Sequence, residues 1–215
     1  KKAKNILDLG CWTGTHAYLF GKKGYKTVGV DISKSMINEA KKKYKLNKNL
    51  KFIHRDLKKL NLKKKFDVVV ALFDILSFQI SNSEVSQFFK IINRHVNKGG
   101  LIFFDFWFKN TVIKIKPSER TKTMKNEKYK IVRITSPNWK KNKNIVKVNY
   151  KMLIQNRLNK KLDFLKGFHT MRYYGLREIS KYLKNYNIKL LKYLTILDNK
   201  IKKNSWSVFV IARKF

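Results

Sequence analysis

The chain has 215 residues, of which 51 are Lys or Arg and 13 are Asp or Glu, so its formal net charge is +38. Hydrophobic residues make up 43% and aromatic residues 13%, which is enough for a buried core in a single domain. This composition excludes general disorder, and the single cysteine, Cys11, excludes an internal disulfide framework and a zinc site of several thiolates. No apolar run approaches the roughly 20 residues that span a bilayer.

The positive charge raises the possibility of a nucleic-acid-binding protein, because a basic surface attracts phosphates. Only eight of the 51 basic residues are Arg, however, and proteins that read bases and phosphates favour the planar guanidinium of Arg. Lys is spread along the whole chain, and Asn and Ile are also abundant. We therefore interpret the charge mainly as a composition bias and keep nucleic acid as an alternative partner.

Short apolar runs alternate with helical patterns through the first half of the chain. The predicted strands are Ile6–Leu9, Thr27–Val30, Leu50–His54, Phe66–Leu72 and Leu101–Phe106. The predicted helices between them are Gly14–Lys22, Ser33–Tyr44 and Glu84–Val96. This alternation is typical of a parallel sheet with helices on both faces.

The alternation stops near residue 108. Residues 108–174 predict antiparallel strands, at Lys130–Thr135, Ile145–Ile154 and Leu162–Tyr173. Regular order returns with a helix and two strands, at Leu176–Leu183, Ile188–Tyr193 and Trp206–Ala212. We expect one domain over residues 1–215, with 108–174 inserted after the fifth strand. Because there is no initiating Met and the first strand begins almost at once, we expect an N-terminal lid to precede the chain.

The segment after the first strand indicates a ligand-binding turn. Gly10 lets the backbone approach a ligand, and Asp31 follows it by 21 positions, at the end of the second strand. An acid at that place can accept hydrogen bonds from ribose hydroxyls. The chain lacks the G-x-G-x-x-G triplet of dinucleotide-binding proteins and the G-K-[ST] of a phosphate-binding loop. The turn therefore favours a nucleoside ligand over a dinucleotide.

Residues 6–14, ILDLGCWTG, closely resemble the D-x-G-x-G-x-G signature of class I S-adenosylmethionine-dependent methyltransferases. His54-Arg55-Asp56-Leu57 and the run from Phe66 to Phe73 resemble later positions of that family, so the resemblance extends over residues 4–107 and, more loosely, 175–214. It implies a Rossmann-like, doubly wound α/β sheet of seven strands, the last antiparallel, and S-adenosylmethionine as the cofactor. The residues that it assigns to cofactor binding are Asp8, Gly10, Cys11, Trp12, Gly14, Asp31, Ile32, Asp56, Leu57 and Leu72, with Asp56 at the position that binds the adenine amino group.

Trp12 departs from the family pattern, because it stands where the family has its middle glycine. We expect the backbone there to adopt a conformation open to a bulky residue, and the indole to line the cofactor or substrate pocket. The departure keeps a non-catalytic nucleoside-binding protein among the alternatives.

Two segments, Phe104–Phe108 and Phe168–Tyr174, resemble a subset of these enzymes that modifies small molecules, including sugars and nucleotide-linked sugars. In that subset an antiparallel flap follows strand five and covers the acceptor, so residues 108–174 are expected to be a substrate-binding flap. The side chains that would contact the acceptor are Trp107, Arg172 and Tyr173, although aromatic residues on strands are usually core.

Three residues are candidates for the chemistry of transfer. His169, in the flap, is the best candidate base, and a buried core histidine is its alternative. Asp74 and Asp105 end strands four and five, where α/β sheets bind ligands, so each would either orient the acceptor or cap a loop.

The sequence as a whole predicts an S-adenosylmethionine-dependent methyltransferase that moves a methyl group to N or O of a small molecule. A sugar or nucleotide-linked sugar is the favoured acceptor, and an anionic acceptor would also use part of the positive charge. An RNA- or DNA-modifying methyltransferase is the alternative enzyme, although the chain has no N-P-P-Y-like motif. A cytoplasmic location is expected, and methyl transfer from a sulfonium requires no metal.

Overall fold

The computed structural model describes residues 3–195 and 205–215. Its central sheet begins with five parallel strands in the order β3-β2-β1-β4-β5. They are β1 (Asn5–Leu9), β2 (Lys26–Asp31), β3 (Leu50–His54), β4 (Phe66–Ala71) and β5 (Val96–Phe108). Because the strand order reverses between β1 and β4, a crevice is expected at their carboxyl ends.

Three helices connect these strands, at α1 (Thr15–Lys22), α2 (Lys34–Lys43) and α3 (Asn82–His95). Ser33 caps α2 as predicted, since its hydroxyl accepts from the backbone N–H of Met36. Ser81 and Glu84 form a capping box at the start of α3. The apolar face of α3 includes Phe88 and Phe89, which are buried against the sheet.

Four long antiparallel strands form the segment that follows β5, and we call β6–β9 the flap sheet. They are β6 (Arg120–Lys125), β7 (Tyr129–Lys140), β8 (Ile145–Asn156) and β9 (Leu162–Tyr174). The end of β9 pairs with the end of β5, so the flap sheet continues from the central sheet. A short helix, α4 (Lys109–Ile115), precedes β6; the sequence pattern did not predict it, because it spans only seven residues between two β segments.

The chain closes with α5 (Leu176–Asn185), β10 (Ile188–Leu194) and β11 (Ser207–Lys214). β11 lies between β5 and β10 and runs antiparallel to both. The seven-stranded sheet with an antiparallel last strand is therefore confirmed. Within the described residues, no helix is long and apolar enough to cross a membrane.

Candidate active site

A tight turn between β1 and α1 forms the floor of the crevice. The backbone N–H groups of Gly10 and Cys11 both donate to the carbonyl of Val30, at 2.8 and 3.0 Å. Gly10 has φ +71°, and a Cβ at this position would lie 2.2 Å from the side chain of Ile75. Only glycine fits both the backbone conformation and this close approach.

Trp12 lies in the left-handed region, with φ 52°. The expectation of a conformation open to a bulky residue is therefore wrong: the turn keeps a geometry that favours glycine, at a cost of about 1–2 kcal/mol for a non-glycine residue. The backbone N–H of Trp12 donates to Asp31 Oδ2 at 2.9 Å, which holds this conformation. The indole is 42% exposed and faces the crevice.

Two adjoining cavities lie on either side of this turn and share Gly10 and Trp12. The β1 cavity, about 430 Å³, is lined by residues that include Asp8, Cys11, His16, Leu72 and Phe73. The β2 cavity, about 360 Å³, is lined by residues that include Asp31, Ile32, Asp56, Leu57 and Phe78.

Gly14 is the one predicted cofactor residue that lines neither cavity. It has φ +78°, and a Cβ there would lie 2.6 Å from the ring of Phe52. Its place in the structure is therefore explained by the close packing of the start of α1 against β3. The buried Cys11 is also a small packed residue, and burial together with the charges of Asp8 and Asp31 raises the pKa of its thiol.

Asp8 brings an unsatisfied acid to the β1 cavity. Its side chain is 2% exposed, and its Oδ2 atom has no hydrogen-bond partner among the described residues. Burial, and then the charge of Asp31, raise the pKa of Asp8 to about 7, while the backbone N–H of Ala17 opposes this shift. A buried carboxylate oxygen without a partner is suited to a ligand that carries a donor or a positive charge.

Asp31 and Asp56 bring two further acids to the β2 cavity. The two oxygens of Asp31 accept from the backbone N–H groups of Ser33 and Trp12, at 2.8 and 2.9 Å. Asp56 Oδ1 accepts from the backbone N–H of Lys58 at 2.8 Å. These hydrogen bonds fix both side chains, and their oxygens keep lone pairs for a ligand hydroxyl or amino group.

His16 and His54 both lie beside the crevice. The ring of His16 stacks on Phe73, with centroids 4.9 Å apart, and lines the β1 cavity, so it faces the crevice. His54 Nε2 lies 2.9 Å from the carbonyl oxygen of Ile32, in agreement with a structural role.

A third cavity, about 700 Å³, lies between the flap sheet and the end of β5, and we call it the flap cavity. Trp107 and Trp206 form an aromatic wall, with ring centroids 5.3 Å apart. The cations that line it are Arg120, Lys122 and Arg133. The sequence analysis missed these cations, which strand pairing brings together: Lys122 on β6 is opposite Arg133 on β7.

His169 also lines the flap cavity. Its ring lies 5.7 Å from that of Phe78, which lines the β2 cavity, and 5.8 Å from that of Tyr150. Burial, and then the charge of Arg133, lower the pKa of His169. The imidazole is therefore neutral at neutral pH and available to accept a proton.

Asp74 and Asp105 lie between the crevice and the flap cavity but line none of the three cavities. Burial, and then the charge of Asp74, raise the pKa of Asp105 to about 7. Burial also raises the pKa of Asp74, against the hydrogen bonds that it accepts from Ser207 and Trp107. Both carboxyl groups thus have hydrogen-bond partners within the protein, and neither lines any of the three cavities.

Arg172 and Tyr173, which the sequence predicted to contact the acceptor, do not line the flap cavity. Arg172 donates to Glu178 at 2.7 Å and to Asn82 at 2.8 Å, so it ties β9 to the neighbouring helices. The Tyr173 hydroxyl is buried, where it accepts from Trp139 and donates to the carbonyl of Lys141. Of the three residues predicted to bind the acceptor, only Trp107 lines the cavity.

Comparison with known proteins agrees with this architecture. Residues 6–100 match a family model described as a methyltransferase domain. A dTDP-3-amino-3,4,6-trideoxy-alpha-D-glucopyranose N,N-dimethyltransferase from Streptomyces venezuelae is 27% identical over 111 residues, which are 51% of this chain and 46% of that protein. The chain spans about two fifths of the length of the curated relatives that it matches first.

Solved structures share the fold over nearly the whole chain. An S-adenosylmethionine-dependent methyltransferase from Clostridium acetobutylicum superposes with a TM-score of 0.85 at 21% identity, over 99% of this chain and 85% of that one. An amino pentose methyltransferase from Micromonospora echinaspora, solved with S-adenosylmethionine bound, superposes with a TM-score of 0.78 at 16% identity, over 99% and 84% of the two chains.

The fold and the paired cavities define a class I methyltransferase architecture. Residues 6–100 match the methyltransferase domain that the sequence predicted, and the described residues have the fold of solved S-adenosylmethionine-dependent methyltransferases.

Proposed function

We propose that this protein transfers a methyl group from S-adenosylmethionine to a small molecule. The observation that carries the proposal is the set of three acids, Asp8, Asp31 and Asp56, at the carboxyl ends of β1, β2 and β3, around two adjoining cavities. Asp31 would accept from the ribose hydroxyls and Asp56 from the adenine amino group. The unpartnered oxygen of Asp8 would face the cationic methionyl end. When bound, S-adenosylmethionine supplies an activated methyl group on a sulfonium.

We place the acceptor in the flap cavity, with residues 108–174 as a substrate-binding flap. The cavity adjoins the β2 cavity through the contact of His169 with Phe78. Arg120, Lys122 and Arg133 form no ion pair within residues 3–195 and 205–215, so the cavity is electrostatically suited to an anionic group. A volume of about 700 Å³ also lies within the range of small-molecule binding sites.

A nucleotide-linked amino sugar combines the features that this cavity can recognise. Its phosphates would meet the Arg and Lys side chains, and its amine would be the group that is methylated. The names of the amino-sugar methyltransferases from Streptomyces and Micromonospora support this acceptor class.

In this proposal the protein aligns the reactants, excludes water and removes one proton. Trp107 and Trp206 shield one side of the flap cavity from water. An amine acceptor arrives protonated and must lose a proton to become a nucleophile. Neutral His169 is the group that would accept it.

Isothermal titration with S-adenosylhomocysteine, the demethylated product, tests the cofactor assignment. We expect binding by the wild-type protein and a loss of about tenfold or more in affinity for Asp31→Ala, since two charge-assisted hydrogen bonds are removed. Asp163→Ala is the matched control, because this exposed acid on β9 pairs only with Lys161 among the described ion pairs. No binding by the wild-type protein to S-adenosylmethionine or its product would overturn the proposal.

A second titration tests the acceptor class. A nucleoside diphosphate sugar should bind the protein more tightly than the same sugar without its nucleotide, and added salt should weaken the difference. Equal affinity for the two sugars, or tighter binding of single-stranded RNA than of either, would contradict a nucleotide-linked small-molecule acceptor.

A further inference from the structure

Two consecutive residues after β4 lie in the left-handed region, although neither is glycine. Phe73 has φ 63° and Asp74 has φ 61°. Such conformations are unfavourable for L-residues and persist only where neighbouring groups hold them. We call these two residues the Phe73–Asp74 turn.

Asp105 holds this turn from the adjacent strand β5. Its Oδ1 atom accepts from the backbone N–H of Asp74 at 2.8 Å. The Asp105 side chain is only 3% exposed, so bulk water has little access to replace this bond. A buried carboxylate on the neighbouring strand therefore accepts from the backbone of the strained turn and holds it in place.

The first residue of the turn reaches the β1 cavity. The ring of Phe73 is 58% exposed, stacks on His16 and lines that cavity together with Asp8. Because the left-handed backbone sets the direction of the Phe73 side chain, a relaxed turn would move this wall of the cavity.

The second residue of the turn reaches the flap cavity. Asp74 Oδ2 accepts from the indole Nε1–H of Trp107 at 3.1 Å, and Asp74 Oδ1 accepts from the hydroxyl of Ser207 at 2.9 Å. The indole of Trp107 lines the flap cavity edge-on to Trp206. The direction of the Trp107 ring is thus set through Asp74.

We propose that Asp105 is a positioning residue that aligns the β1 cavity with the flap cavity by holding the Phe73–Asp74 turn. It touches neither ligand site and acts through Phe73 on the β1 cavity and through Asp74 and Trp107 on the flap cavity. The inference depends on the proposed function for its catalytic consequence. It replaces the predicted role of Asp74 and Asp105 in direct contact with the acceptor.

Asp67, at the opposite end of β4, provides a matched control. Its carboxylate also accepts from backbone N–H groups, those of Lys4 and Asn5, and it accepts from Asn97 as well. It lines none of the three cavities. Asp67→Ala should therefore report the structural effect of removing a carboxylate that binds backbone, without the effect on alignment.

A ligand-free measurement tests the positioning directly. The edge-on Trp107–Trp206 pair should give a coupled signal in the circular dichroism spectrum, which Trp206→Phe identifies by removing it. We expect Asp105→Ala to lose most of this signal, and Asp105→Asn and Asp67→Ala to retain it, because an amide oxygen can still accept from the turn. An unchanged signal in folded Asp105→Ala would overturn the proposal, whatever the protein binds.

Kinetic measurements test the effect of this positioning on catalysis. We expect Asp105→Ala to lose about 100-fold in kcat/KM, because small displacements of reacting groups have effects of that size, with weaker affinity for both S-adenosylhomocysteine and acceptor. Asp74→Ala should raise the acceptor KM alone, and Asp105→Asn should restore most of the activity. If Asp105→Ala does not fold, an Asp74→Ala variant with unchanged acceptor KM and unchanged Trp107–Trp206 signal overturns the proposal.

The failure of this proposal is distinguishable from that of the proposed function. A wild-type protein that binds no S-adenosylhomocysteine contradicts the function, while the spectrum of Asp105→Ala still decides the positioning. A wild-type protein that methylates an acceptor, with Asp105→Ala and Asp67→Ala equally active, contradicts the positioning alone.

Discussion

The backbone N–H of Trp12 donates to the carboxylate of Asp31 at 2.9 Å, so the acid at the end of β2 holds the residue that stands at the middle glycine of the D-x-G-x-G-x-G signature. Trp12 keeps the left-handed backbone of a glycine and adds an indole at the boundary between the β1 and β2 cavities. The loop geometry is thereby maintained despite the substitution.

Trp12→Gly should separate the strain at this residue from its contact with the cofactor. We expect affinity for S-adenosylhomocysteine to fall about tenfold, because one cavity wall is lost, while the free energy of unfolding changes by about 1 kcal/mol or less. Titration calorimetry and urea unfolding measure the two effects. Asn144→Gly is the control, since Asn144 also has φ 52° but lies between β7 and β8, outside the three cavities. Greatly increased methyl transfer by Trp12→Gly would favour a nucleoside-binding protein that has lost its activity.

Asp8 should make the ligand-free protein less stable as the pH rises. The pKa of Asp8 is raised in the folded state to about 7. Its stabilising contribution to the free energy of unfolding is therefore fully present below the unfolded pKa near 4 and is lost as the pH rises through about 7. The free energy of unfolding falls by at most about 4 kcal/mol between these two pH limits because of Asp8. Asp105, whose pKa is also raised to about 7, lowers the free energy of unfolding over the same range.

Urea unfolding at pH 5 and pH 8 measures this dependence. Asp8→Asn should be more stable relative to the wild type at pH 8 than at pH 5, and should bind S-adenosylhomocysteine more weakly. If the free energy of unfolding of Asp8→Asn has the same pH dependence as that of the wild type, burial does not raise the pKa of Asp8.

Arg133→Gln should weaken the binding of an anionic acceptor. We expect the acceptor KM to rise about tenfold, as for loss of one charge-assisted contact, with the KM for S-adenosylmethionine unchanged. Arg157→Gln is the control, because Arg157 is an exposed residue between β8 and β9 that donates to the carbonyl of Asn126. Equal effects of the two variants would indicate a general effect of charge and contradict an anion site in the flap cavity.

His169→Ala should lower kcat about 100-fold or more if the imidazole removes the acceptor proton. The pKa of His169 is lowered by burial and by Arg133, so the wild-type kcat should already be on its plateau at pH 7 and fall only in more acidic solution. Rate measurements from pH 5 to pH 8 provide the check. An unchanged kcat in His169→Ala would leave this residue as a wall of the cavity and exclude it as the base.

The residues that line the β1 and β2 cavities could be singled out from the sequence because they lie in short, local patterns. Asp8, Gly10 and Gly14 belong to one turn, and the alternation of strands and helices brings Asp31 and Asp56 to the same edge of the sheet. The fold class predicted on this basis is confirmed, and residues 6–100 match a methyltransferase domain.

The lining of the flap cavity could not be predicted in the same way, because it depends on the pairing of residues that are distant in the sequence. Register in the flap sheet places Lys122 opposite Arg133, and no local motif marks either residue. The bond between Asp105 and Asp74 joins residues 31 positions apart. The left-handed backbone of Trp12 was not predicted either, because a bulky side chain at this position indicated a backbone conformation that large residues commonly adopt.

The crystal structure of the protein with S-adenosylhomocysteine tests the central claim most directly. We expect the ligand to lie across the β1 and β2 cavities, with its ribose hydroxyls hydrogen-bonded to Asp31 and its amino acid end beside Asp8. A ligand bound elsewhere on the chain, or the same two cavities empty at saturating ligand, would contradict it.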